Sequence, residues 1–557
     1  MKRCPQCNRV EADDTLIFCR VDGSPLAEAS SEVATSLLPN AVTNPANVRL
    51  TGPTTVLPTS DAQSSTRQLS EAPSPRPHVA STRNSLLAGA IGIIVVTALG
   101  VGSYLKYGRS EKQVSSIAVM PFVNTSGNAD LDYLSDGMTE TLIRSLSQLP
   151  NLSVKSRSTV FTYKGKQTTP NSIGQELGVQ AVLLGRVIQR GDALILNLEL
   201  VNTQTQDLIW TDEYSRRSSD LISLQNEIAR DVSSTLRVKL SGVDQQKLSK
   251  SYTNDPEAYR LYLQGRFYLN KRVGKPYEQA EGYFRQAIER DPNFAPGYAA
   301  LAEFIGERDR PKAKEYIMRA LALDNQLSDA HATLGYQLML DYDFAASGRE
   351  LERAIELDPK NARAYQNNGT RLMMMGKYDE SLASYDRAIE LEPTLADIRN
   401  NRTACLVAAG KIDEAIAYNK ETMKMDPTFP WTHSHISYIY RMKGDRAASV
   451  EERASAFDLL DLPENAKRLR ESFANGGWMS YLREVLSQDW GRLGTSRTRK
   501  ASFLAEIGEK EQAIALLSEA AATGDWWLFS IKYDPAFDSL RGDPRFQAVL
   551  KKFDPSQ

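Results

Sequence analysis

The stretch 357–393, LDPKNARAYQNNGTRLMMMGKYDESLASYDRAIELEP, carries Asp358-Pro359 near its start and Glu392-Pro393, 34 residues on, at its end. The same mark or an equivalent recurs at Pro292, Asn325, Pro359, Pro393 and Pro427, at intervals of 33, 34, 34 and 34 residues. The interior keeps step: Gly335, Ser347 and Ala354 correspond to Gly369, Ser381 and Ala388. Small residues at these places let two helices approach closely, while Tyr365, Leu372 and Tyr385 fill the space beside them. Thr403 stands where the next glycine is expected, which predicts looser packing there, and Ala415 and Pro427 hold the register.

That interval is the length of the tetratricopeptide (TPR) repeat, a helix pair that stacks into an all-α solenoid. About five repeats are expected over 256–463, the first with extra residues in RVGKPY and the second one residue short. Over 464–557 the sequence predicts a helical segment broken at Gly476-Gly477, a degenerate repeat pair in KASFLAEIGEKEQAIALLSEAAA, and a cap. In YDPAFDSLRGDPRFQAVLKKF, Asp then Pro appears twice, an N-cap followed by the residue best tolerated in the first turn, and this end is expected to cover the last repeat's apolar face. The first helices of such a stack line a groove whose residues are free of packing constraint. Alignment by repeat number puts Asp329, Tyr336, Arg363, Gln366, Asp397, Asn400, Trp431 and Tyr438 on that face. They read either as a partner-binding groove for a protein or peptide, anchored by Trp and Arg, or as ordinary solvated positions.

Ahead of the repeats, SSIAVMPFVNTSG reads as a strand, DLDYLSDGMTETLIRSLSQLP as an amphipathic helix, LSVKS as a strand and NSIGQELG as a short helix. Three strands follow, with turns at 190–192 and 203–205, and DLISLQNEIARDVSSTLRVKL closes a βαβαβββα sandwich over 115–240. The blocks IAVMPFVN, YLSDGMTETLIRSLS, VKSRSTVFTYKGK, ELGVQAVLLGRV, LELVNTQTQDLIWTDEY and LQNEIARDV, in that order, resemble the TolB amino-terminal type of domain, related to FlgO-like domains, that bacterial membrane-tethered regulators carry ahead of TPR repeats. That family has no agreed chemical activity, so the resemblance implies architecture and a binding or regulatory context.

Catalytic signals are absent from this region. There is no histidine between His78 and His331 and no cysteine between Cys19 and Cys405, which removes His-activated serine or cysteine nucleophiles. The acidic run DLDYLSDG misses EF-hand spacing and reads as a solvated, dipole-matched helix start. YKGK, 163–166, reads as an exposed loop rather than a phosphate loop, His331, His433 and His435 as helix residues, and Cys405 as a packed side chain.

Leu86 to Leu105, LLAGAIGIIVVTALGVGSYL, has no charge in a chain of 557 residues that is 24% charged. An uncharged helix of that length rises roughly 30 Å and predicts one transmembrane helix, 86–105. Between it and the N-terminus, 26–83 is rich in Ser, Thr and Pro and reads as a disordered linker, with a reach of about 40 Å. Residues 1–25, MKRCPQCNRVEADDTLIFCRVDGSP, hold Cys4, Cys7 and Cys19, with Asp22 where a fourth cysteine is expected. They resemble a small zinc ribbon closed by one structural zinc; a redox C-x-x-C or a remnant that binds nothing are the other readings.

Charge is similar on both flanks of the span, so orientation is read from cysteine usage: thiolates in the cytoplasm, and a C-terminal part with one cysteine outside, periplasmic in a Gram-negative cell. A formal net charge of −2 gives no strong nucleic-acid signal, and no small-molecule substrate site is apparent. The sequence thus predicts a multidomain, non-catalytic, inner-membrane scaffold or sensor for protein or peptide partners, held to lipid by one helix. The rival expectation is a transmembrane signalling regulator whose zinc ribbon contacts nucleic acid or a transcription component.

Overall fold

In the computed structural model, residues 2–3, 10–11 and 27–28 are described, and then 114–552 apart from 129–130, 239–240, 272–273, 488–489 and 491–495. Contacts divide the chain into two units, 1–98 and 99–557. In the first, β1 (Lys2–Arg3) pairs antiparallel with both β2 (Val10–Glu11) and β3 (Ala27–Glu28). Ala27 and Glu28, expected to begin the linker, thus belong to a three-stranded sheet with the N-terminus. Cys4, Cys7, Cys19 and Asp22, the remainder of the linker and the apolar segment 86–105 lie outside the described residues. Among the described residues no helix is long and apolar enough to cross a membrane.

The second unit opens with a mixed α/β domain. Its sheet runs in the order β6 (Ser153–Val154), β4 (Ser116–Val119), β7 (Ala181–Arg190), β8 (Ala193–Asn202), β9 (Leu208–Arg217), with the short β5 (Val123–Asn124) also on β7. The edge β6 and β5 are parallel to their neighbours; β7, β8 and β9 form an antiparallel meander. On β8, alternate residues Leu194, Leu196, Leu198 and Leu200 are fully buried, the period-2 pattern of a strand with one covered face. Helices Asp132–Ser147 and Leu221–Thr235 cover it with Leu134, Met138, Leu142, Leu224, Ile228 and Val232. A short helix, Arg157–Phe161, forms where no element was expected.

The rest of the described chain is helical, a TPR-type solenoid. Six helix pairs run from Pro256 to Asp458, against about five expected over the same stretch, and the first of them, Pro256–Leu269 and Gly274–Arg290, is the repeat that carries the extra residues RVGKPY. Within pairs, the small positions act as read from the sequence: a Cβ on Gly335 would lie 2.6 Å from Leu351, and one on Gly369 2.9 Å from the Tyr385 ring. The Ser347 and Ser381 hydroxyls donate to the Gly335 and Gly369 carbonyls, each at 2.7 Å. Thr403 is fully buried, as is Ala415, and its two helices lie less close together than those of neighbouring pairs.

Two packing facts depart from the sequence reading. The core of the α/β domain is continuous with that of the first repeats, from Ile117 through Leu236 to Leu263, Phe284 and Leu301. The C-terminal segment does not simply cap the last repeat. Leu517, Trp527, Phe529, Phe537 and Phe546 share one core with Met339, Leu340, Met373, Met374 and Tyr438, so it folds back over the first helices of the third to sixth pairs.

Candidate functional site

The α/β domain is bound to the first repeats by a knot of charge. Glu140, on the helix Asp132–Ser147, accepts from Arg266 at 2.7 and 3.0 Å and from the Asn270 amide at 2.9 Å, and pairs with Arg157 at 3.0 Å. Burial alone would raise its carboxyl, but Arg266, Arg157 and Arg144 outweigh burial and hold it at about 2. Arg144 reaches Asp329 at 3.3 Å, and the Lys360 ammonium donates to the carbonyls of Ser147 and Leu152. Of the acidic helix start, Asp132 is half-buried and Asp136 is withdrawn from solvent. Asp136 is buried and accepts from Lys164, of the YKGK loop, at 2.6 and 2.7 Å. Burial raises the Asp136 carboxyl, against the pull of Lys164.

The expected groove residues are thereby dispersed. Asp329 is held by Arg144 and Asn361, and Arg363 pairs with Glu303 at 2.8 Å. Gln366 and Asn400 are 5% and 2% exposed, the latter's amide donating to Thr432 at 3.2 Å, and Asp397 is half-buried. Tyr438, 4% exposed, donates to Asp534 of the C-terminal segment at 3.3 Å. His331 and His433 contact Glu350 and Glu452 at 2.6 and 2.8 Å, and Cys405 is buried, its thiol pushed up to about 11 by that burial. Among the described residues no group of His, Cys, Asp and Glu could hold a metal.

Tyr336 and Trp431 remain, and the structure brings them to one cleft of about 880 Å³. One wall is the turn 307–311 with Lys314, Leu340 and Asp341; the floor is Trp431, Ser434 and His435; the other wall is Arg497, Arg499 and the turn 522–527. The wall is positioned by long-range bonds: Arg310 donates to the Thr523 carbonyl at 2.8 Å, and Asp525 caps its turn by accepting from Thr498 and Trp527, each at 3.0 Å. Trp527 packs edge-on to Tyr438 at 5.3 Å, with His435 also 5.3 Å away. Burial, then the nearby Arg499, push His435 down to about 3, so its ring is neutral near pH 7. Arg310, Arg499, Trp526 and Trp527 were missed in the sequence because none follows the repeat; a Trp-Trp pair beside Asp-Pro turns was the available sign.

Comparison with known proteins gives partial matches. Residues 112–231 match the family described as HilA/YgeH-like transcriptional regulator, second domain, and 362–395 match the tetratricopeptide repeat. A relative named Putative adenylate cyclase 3, of Rhizobium meliloti (strain 1021), is 32% identical over 197 residues, 34% of this chain and 34% of its own. The chain thus spans about a third of that relative's length. Among solved structures, YrrB, described as a TPR protein with an unusual peptide-binding site, is 22% identical over 34% of this chain and 97% of its own, at a TM-score of 0.24. TTC0263, a TPR protein of Thermus thermophilus, is 17% identical over 32% and 97%, at 0.30, and PilF of Pseudomonas aeruginosa 17% over 47% and 99%, at 0.27.

Proposed function

We propose that this TPR repeat protein is a non-catalytic membrane scaffold or sensor that takes a protein or peptide segment into the cleft between its first helices and its C-terminal turn. The observation that supports this most is the cleft itself, a concave site edged by Tyr336, Trp431 and Trp526 with polar groups between them. Tethering by 86–105, with residues 1–25 as a cytoplasmic zinc-bearing handle and the repeats outside, completes the reading. Its topology is tested by protease treatment of spheroplasts with tags at both ends: loss of the C-terminal tag alone supports it, and protection until lysis overturns it.

Partner binding is tested on the full chain with a displayed peptide library. Peptides that bind the wild type and lose at least tenfold in affinity with Trp431→Ala are expected. A library that yields no binder, or binders indifferent to Trp431 and Trp526, would sink the cleft as the partner site.

A second reading has one observation in its favour, the match of 112–231 to a domain of transcriptional regulators. In it the N-terminal ribbon contacts nucleic acid or a transcription component. Salt-sensitive retention of duplex DNA by the full chain, lost with Cys4→Ser, would favour it.

A further inference from the structure

Arg499 is a cation held at the cleft with no ion pair to a carboxylate among the described residues, although Asp525, which accepts from the Thr498 amide, lines the same cleft. Its side chain lines the cleft, yet the residue is only 8% exposed. The guanidinium carbon lies 4.7 Å from the Trp527 ring and 5.2 Å from Tyr438. Its hydrogen bonds are long and go to a neutral residue: Nη1 to the Ser434 hydroxyl at 3.4 Å and Nη2 to the Ser434 carbonyl at 3.3 Å. Nε is buried and has no hydrogen-bond partner.

The neighbouring charges make this worse. Arg453 and Arg441 are both cationic, and after burial itself they push Arg499 down to about 9. The nearby carboxylates, half-buried Glu506 and buried Asp534, are both engaged by Arg441, and Glu506 also accepts from the Trp478 indole. Elsewhere on the cleft wall the cations are matched: Arg310 and Lys314 with Asp341, Arg308 with Glu281, Arg497 with Glu519. His435, beside Arg499, is neutral and supplies no charge. A guanidinium stays protonated when buried, so this cation is desolvated and uncompensated in the free protein.

We propose that the cleft is built for a carboxylate, and that an aromatic or apolar group next to that carboxylate lies against Trp526 and Trp431 while Arg499 takes the anion. The lining also carries Glu307, Asp309, Asp341 and Asp525, carboxylates that disfavour a phosphate dianion and leave room at Arg499 for a single carboxylate. The planar fork suits two parallel hydrogen bonds, and stacking on Trp527 leaves it pre-oriented. This proposal rests on the peptide-binding reading of the same cleft and specifies its chemistry. The carboxylate has two possible sources, a small aromatic acid or the acidic end of a peptide.

The test titrates the full chain, by tryptophan fluorescence, with 3-phenylpropionate against its neutral amide, and with a tetrapeptide ending in Phe against the same peptide amidated. The acid is expected to bind at least tenfold more tightly than the amide in at least one pair, and which pair shows it identifies the source. Arg499→Met should erase that preference, and Arg499→Lys should retain only part of it. Unfolding curves check both variants, and because the acid and amide are compared on the wild type first, the result does not depend on either variant folding. Equal binding of acid and amide, no binding of either, or a preference that survives in a folded Arg499→Met overturns the proposal. If amidated peptides bind as well as free ones and depend on Trp431, the scaffold reading stands and only the carboxylate fails. If the small acid binds and no peptide does, the carboxylate stands and the peptide reading fails.

Discussion

Glu140 shows how a single carboxyl sets the relation between two parts of the chain. Its folded value of about 2, against an ordinary 4.5, means the unfolded chain binds the extra proton in that interval. Its contribution is therefore complete above about pH 4.5 and is lost as pH falls through 2, an amount on the order of 3 kcal/mol for a shift of that size. Glu140→Gln should remove that acid-side loss and lower stability near pH 7, read by urea unfolding of the full chain at several pH values. His435 acts over another window. Held near 3 by burial, it remains neutral where the unfolded imidazole is charged, so stability should fall as pH drops from about 6.5 towards 3. His435→Phe is expected to flatten that limb, and an unchanged slope would mean the ring is not desolvated.

At the scale of elements, the repeat is a geometry that tolerates different chemistries at one position. His331 contacts Glu350, and three repeats later His433 contacts Glu452; between them Tyr365 accepts from Ser384 through its carbonyl, and the Arg399 guanidinium lies 4.8 Å from the Tyr418 ring. The small positions are less forgiving. Gly369→Ala would put a methyl into the Tyr385 ring, which is fully buried and bonded to Thr370, so the ring cannot move cheaply. A loss of about 1–3 kcal/mol is expected, by thermal unfolding, whereas Gly376→Ala should act through its positive φ and not through contact. These elements were legible because both the pattern and the contact it encodes lie within some 20 residues. The repeat at Pro256 is legible in the same way despite its extra residues in RVGKPY.

For the whole molecule, the governing fact is that the chain covers much of its own repeat face. Arg144 meets Asp329 across 185 residues, Lys360 meets Ser147 across 213, and Arg310 meets Thr523 across 213. Ending the chain after Gly524 would bare Met374, Tyr438 and Leu340, and the shortened protein should bind a hydrophobic dye strongly and self-associate in sedimentation. A shortened chain that stays monomeric without dye binding would mean that the C-terminal turn is not part of the core.

The sequence by itself determined the helix pairs, their spacing, the succession of strands along the α/β domain and the small residues at each crossing, since these follow from local periodicity and from which side chains fit between adjacent helices. It also put Tyr336 and Trp431 on one face by repeat register, and both of these line the cleft. Only the tertiary structure decided that Gln366, Asn400 and Tyr438 are buried while Arg499 stands uncompensated at the cleft. At Tyr438 and Arg499, burial and charge balance involve segments 65 to 96 residues away in the chain, while Asn400 meets Thr432 in the adjacent repeat, and no local pattern specifies what a distant segment will cover.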